Sequence, residues 1–247
     1  MSGFARPVLL AAIAGALLTG GCASSSRDAD LGYDLVAVSP ASGTITPSDI
    51  YPLRDGAWSW QVTRGDEAGL RFQRRRAATS EYGATWSETT DGGHREFWTH
   101  DDEGNLVMTA VVEPGDQALT IFDPPMVIAY ARLSPDGPRQ QQVNMRVMDL
   151  KRPERLKDQG LATRTVEYVE DQLIRTALGT MPVKRIEISF TADLGLARAT
   201  NETTLLVYPA FGFVVETRVD RVTVIGIPLR HRDQTLVMTR APPDAGD

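Results

Sequence analysis

An antiparallel all-β fold is predicted by three observations. Apolar and polar residues alternate over short stretches, these stretches follow one another closely, and Gly, Pro and Asp turn signals separate them. The expected architecture is a single large curved antiparallel sheet or open half-barrel, with room for one short helix. The 247-residue chain is 42% hydrophobic and shows neither an internal repeat nor a second compositional regime, so one domain with a sizeable core accounts for it.

The elements follow in order. After the Asp55-Gly56 turn, Trp58, Trp60 and Val62 alternate with Ser59, Gln61 and Thr63, giving a strand with an aromatic inward face. A second strand over 70–76 sets Leu70 and Phe72 opposite Arg71 and Gln73, and a third over 81–90 ends at Asp91-Gly92-Gly93. His94, Glu96, Trp98 and His100 then share one strand face, with Arg95, Phe97 and Thr99 on the other. Asp102-Glu103-Gly104-Asn105 turns the chain into a strand over 106–112. Prolines at 124 and 125 separate strands expected at 117–122 and 126–133, and another is expected over 140–148. Residues 151–160 are charged and polar and read as a surface loop or short helical turn. The stretch 163–177 fits a helix face through Val166, Val169, Leu173 and Ala177, but its Thr and Val content favours two short strands. Strands over 183–190, 196–208 and 213–225 follow, then a short one at 236–239, and 241–247 reads as a disordered tail.

Ahead of this domain, an apolar run starts at Val8 and ends in Leu17-Leu18-Thr19-Gly20-Gly21-Cys22, which holds the only cysteine. The run is too short to cross a bilayer, which takes about 20 apolar residues, and has the size of an export-signal core with Arg6 in front. Small residues stopping at a cysteine resemble the lipobox of bacterial lipoproteins. That resemblance implies a signal peptide over 1–21 and a mature chain that begins at an acylated Cys22. Thr19 and the single positive charge depart from its commonest form, and an ordinary export signal is the competing reading. Residues 22–50 then read as tether and extended lead-in, 51–240 as the β domain. Ala23 follows the cysteine, where an aspartate marks inner-membrane retention in enteric bacteria, so the resemblance favours the outer membrane. Two or more acyl chains would hold the protein firmly, since each buried methylene contributes about 0.8 kcal/mol.

Tyr51-Pro52-Leu53 with Gly56-Ala57-Trp58, the 176–186 turn-and-strand, and Tyr208-Pro209-Ala210-Phe211-Gly212-Phe213 resemble an uncharacterised family of exported β-rich bacterial proteins. The motifs mark the fold and carry no catalytic residue. The LolA/LolB lipoprotein carriers, whose curled sheet leaves an apolar cavity, offer a weaker architectural analogy.

Candidate chemistry is sparse. His94 and His100 lie six residues apart, about 20 Å along a strand, too far to share a metal with Glu96 unless the strand bends. Contiguous acids in 101–105 lack the spacing of a calcium loop. No nucleophile elbow or Gly-rich phosphate loop is present, so neither catalytic residues nor a cofactor are assigned. Arg71, Arg74, Arg75 and Arg76 form one basic cluster, read either as an anion site or as a solvated edge. Trp58, Trp60, Trp86 and Trp98 either line a ligand cavity or fill a core. A net charge of −6 argues against nucleic acid.

The expected function is a membrane-anchored envelope lipoprotein, not an enzyme, that binds a hydrophobic ligand or an envelope component. A scaffold or accessory subunit acting through a strand edge is the alternative, and a hydrolase with an unmarked site comes third.

Overall fold

The computed structural model describes residues 31–225 and 227–242, so the expected signal over 1–21, Cys22, the tether residues up to 30 and residues 243–247 of the expected disordered tail lie outside the described residues. The chain opens with β1 (Asp34–Pro40) and one helical turn, α1 (Pro47–Ile50). Twelve strands follow as a meander: β2 (Gly56–Arg64), β3 (Arg71–Ala78), β4 (Trp86–Thr90), β5 (Arg95–His100), β6 (Leu106–Glu113) and β7 (Ala118–Ala129). The second half contains β8 (Arg139–Asp149), β9 (Arg152–Thr176), β10 (Gly179–Leu194), β11 (Ala197–Tyr208), β12 (Gly212–Val224) and β13 (Ile227–Arg240). Each pairs antiparallel with the next, and β13 pairs back onto β2.

The all-β prediction holds, but the sheet is a closed twelve-stranded barrel and not an open half-barrel. Two stretches close it. The last strand, expected only over 236–239, runs Ile227–Arg240, long enough to bond β12 on one side and β2 on the other. Residues 152–160, expected as a loop or helical turn, extend β9 and join β8 to the ring. That part of β9 is largely exposed, so no inward apolar alternation marks it as a strand. The two short strands expected within 163–177 are likewise one continuous piece of β9. The break expected at Asp123-Pro124-Pro125 lies inside β7, because 122–125 bulge out of the ladder to β6 and no N–H is required there. The third strand is shorter than expected, since Glu81–Gly83 forms a 3-10 turn before β4.

Eight strands already leave an interior that side chains just fill, so twelve enclose more space than their own side chains can occupy. The chain ahead of β2 fills part of it. Ile45 bridges to Leu133 through paired backbone bonds of 2.9 Å, and Ile45 and Ile50 are buried. Tyr51 reaches Trp98 of β5 (5.2 Å between ring centres) and Phe213 of β12 (5.6 Å), on opposite walls. Residues 45–52 therefore plug one end. β1 lies on the part of β9 that β8 leaves uncovered. The outer face carries polar residues such as Arg71, Arg75, Gln142, Asn144, Arg146, Glu202 and Arg221, whereas a membrane-crossing barrel carries an apolar outer band.

Gly212 shows how tightly the plug is seated. Its φ is +88°, and a Cβ there would lie 2.7 Å from Pro52 Cδ and 2.8 Å from the Ile50 carbonyl oxygen. Gly43 has a similar φ of +71° but nothing within 4 Å. Gly43→Ala therefore carries only the left-handed penalty, about 1–2 kcal/mol, while Gly212→Ala adds displacement of the plug. Urea unfolding should show the second variant clearly less stable, with altered near-ultraviolet dichroism from Tyr51 and Trp98.

Candidate functional site

The aromatic alternation of β2 sets Trp58 and Trp60 on the inner face, and the pairing of β4 with β5 puts Trp86 opposite Trp98. The barrel thus gathers all four predicted tryptophans on its inner face, three of them almost fully buried and Trp86 half-buried. Arginines lie on three of them. The Arg76 guanidinium sits 4.4 Å from the Trp58 ring and 5.5 Å from Trp98, and Arg74 sits 4.9 Å from Trp60 and 5.2 Å from Phe213.

The basic cluster therefore divides by strand periodicity. Arg71 and Arg75 point outward and are exposed, while Arg74 and Arg76 share the inner face with Phe72. Inside, Arg76 Nε donates to Glu88 Oε2 at 2.7 Å and Arg76 Nη1 to the Pro52 carbonyl at 3.1 Å. Arg74 Nη2 donates across the lumen to Glu216 Oε2 at 2.5 Å. Burial works against the Arg74 charge, but Glu216 and Glu88 outweigh it and its pKa is raised. Farther along β12, Arg218 pairs with Asp220 at 2.8 Å, and Asn201 Nδ2 donates to Asp220 at 2.7 Å.

Arg164 is an inner cation without such a partner among the described residues. Arg164 of β9 donates to the Ile128 carbonyl at 3.2 Å and meets the Tyr51 side chain, but makes no ion pair with a carboxylate. Burial lowers its pKa despite the compensating influence of Tyr51 and Glu96. Its Nε, like Trp58 Nε1, Trp60 Nε1 and Gln234 Oε1, is buried without a hydrogen-bond partner. Burial also pushes the Tyr51 hydroxyl up to about 12, against the pull of Arg164. The sequence reading missed Arg164 and Glu88, single charges between polar neighbours, and Glu216 and Arg218, which flank Thr217 in a valine-rich strand.

At the unplugged end, His94 joins two carboxylates. Its Nδ1 lies 2.6 Å from Glu113 and its Nε2 3.1 Å from Glu96, whose other oxygen accepts from Trp98 Nε1 at 3.2 Å. The Glu96 side chain is enclosed by the wall yet 32% accessible to water, so this end of the lumen is wet. His100 is exposed at the far end of β5. Asp101 is occupied by its own turn, accepting from the Glu103 and Asn105 amides and the Asn105 side chain. Among the described residues, no group of three or more His, Cys, Asp or Glu is arranged to hold a metal ion.

Two outcomes follow from this network. Removing one partner of a buried pair costs about 3–5 kcal/mol, while replacing both with apolar residues costs far less. Glu88→Ala should therefore lose about that much in urea unfolding, and Arg76→Met with Glu88→Leu should recover most of it.

The second concerns pH. Burial opposes the His94 imidazolium, but hydrogen bonds to Glu113 and Glu96 and their charges prevail, pushing its pKa up to about 10 from 6.5. Burial would raise Glu96, yet its bond to His94 and the nearby cations lower it from 4.5 to about 2. A raised histidine contributes fully below pH 6.5 and loses its contribution as pH rises toward 10. A lowered glutamate contributes fully above pH 4.5 and loses it as pH falls toward 2. Stability should plateau between these limits and the wild-type melting temperature should fall on the alkaline side, a decline that His94→Gln should remove. Comparison with known protein families, characterised proteins and solved structures finds no match for this chain.

Proposed function

We propose that this protein is a non-enzymatic envelope lipoprotein, tied to a membrane through acyl chains on Cys22, whose lumen binds a hydrophobic ligand bearing an anionic head group. The outer membrane, on its periplasmic face, is the favoured location. The observation that carries the binding role is Arg164, a guanidinium held inside an aromatic-walled barrel without a carboxylate partner. Desolvating a charge without pairing it is costly, and a carboxylate or phosphate at this point would offset that cost. The rings of Tyr51, Trp98 and Phe213 supply apolar surface alongside. A second reading, a scaffold acting through a strand edge, draws on β1. Its seven residues are all exposed, Leu35, Val36 and Val38 among them, and among the described residues no strand pairs with its other edge.

Native mass spectrometry on protein released gently from its membrane tests the proposal. An acidic amphiphile should travel with wild type and with Arg75→Met on the outer face, and be lost from Arg164→Met. A ligand-free wild-type mass would overturn the binding role, and an N-terminal peptide without fatty acid at Cys22 would overturn the anchor.

A further inference from the structure

The barrel wall is uneven at its unplugged end. β2 makes its last pairing to β13 at Arg64–Thr235, but the β12–β13 hairpin continues eight residues farther to Ile227, about 26 Å of strand. The β10–β11 turn stands beside it, joined by the bond from the Ile225 amide to the Leu196 carbonyl at 2.9 Å. Ile225 (73% exposed), Leu196 (69%), Ile227 (63%) and Leu229 (55%) are the four most exposed large hydrophobic residues among the described residues, and all lie on this projection. Ile225 also holds a φ of +51°, which is costly for a β-branched side chain where Gly or Asn would be free of strain. An apolar side chain is thus kept at the tip against the local preference of the turn.

The N-terminal segment emerges at the same end. The Leu31 carbonyl accepts from Thr63 Oγ1 at 2.8 Å, and the same hydroxyl reaches the Thr235 carbonyl at 3.4 Å. Nine residue steps separate Leu31 from Cys22, a reach of at most about 32 Å. That reach matches the distance by which the hairpin overhangs Thr235. A lipid-bound Cys22 therefore lies within reach of the bilayer surface on which these tips would rest. Tethering also holds the tips at a high effective concentration, so four apolar side chains suffice where they would not hold a free protein.

We propose that the tips carrying Leu196, Ile225, Ile227 and Leu229 dip into the lipid bilayer and set the barrel with its open mouth facing the membrane. The proposal rests on the membrane-anchor reading for its occupant, and its test is arranged to be independent of whether the cell acylates Cys22. The chain from Cys22 onward, which contains every strand of the barrel, is coupled through the Cys22 thiol to maleimide lipid in phosphatidylethanolamine–phosphatidylglycerol vesicles. Hydrogen–deuterium exchange is then compared with the same chain free in solution.

Peptides carrying Leu196 and Ile225 should exchange several-fold more slowly on vesicles, while the turn around Asp136 at the plugged end keeps its rate. Replacing Leu196, Ile225 and Ile227 together by serine should abolish the difference with the melting temperature unchanged. Equal exchange rates with and without vesicles would overturn the proposal while leaving the anchor untouched. Protection that grows with protein concentration in the absence of lipid would also overturn it, assigning the tips to a second copy of the chain.

Discussion

The ion pair that Arg74 makes with Glu216 across the lumen is the constraint around which the barrel is set. It ties β3 to β12, strands with β2 and β13 between them, and Arg76 with Glu88 locks β3 to its immediate neighbour β4. Such pairs add little net stability compared with well-packed hydrophobic residues. Their effect is on register. A one-residue slip of β3 would turn both guanidiniums outward and leave Glu88 and Glu216 buried without countercharge. The cross-strand neighbours Glu88 and Glu96 make this sharper, because two acids face each other on the inner wall and are tolerable only with Arg74, Arg76 and His94 in place.

The same lock divides the interior into a dry half and a wet half. Toward the plug, Tyr51, Trp98, Trp58 and Arg76 are stacked, and the Pro52 carbonyl takes one of the Arg76 donors. Toward the mouth, Glu96 and Arg218 keep water contact, and their partners His94 and Asp220 are side chains of the rim. The plug therefore does more than occupy volume. By sealing one end it lowers the local dielectric around Arg74 and Arg164, which strengthens satisfied pairs and penalises the unsatisfied cation.

Much of the wall was legible because period two is a local signal. The alternation at Trp58, Trp60 and Val62 located β2, and the turn signals located most strand ends. The same rule applied to Phe72 already placed Arg74 and Arg76 on the inner face, but four arginines in six residues read as a solvated cluster, since charge without a visible partner has no reason to be buried. Their partners are 12 and 142 residues away, and nothing local announces them. Closure was hidden for a related reason. It depends on residues 235–240 pairing with β2 at the far end of the sequence, and on 152–160 extending β9 along β8, a stretch so exposed that hydrophobic alternation fades. An edge that pairs only with strands distant in sequence leaves no periodic mark, so a half-barrel was the natural reading of a ring.

Closure also changes what the lumen can select. An open curled sheet with an apolar hollow accepts any chain of suitable girth, because transfer of methylenes is indifferent to what the head group carries. A ring filled with indoles and guanidiniums is not indifferent. Under the proposed role, a neutral amphiphile reaching Arg164 would bury the cation without pairing it, while an acidic one would supply the missing acceptor, and the difference falls entirely on the head group. The paired arginines contribute by refusal, since Glu88 and Glu216 already occupy them and a second anion beside either carboxylate would be repelled. Under that role, discrimination rests on Arg164, which among the described residues pairs with no acid, while the pairs at Arg74, Arg76 and Arg218 are already satisfied.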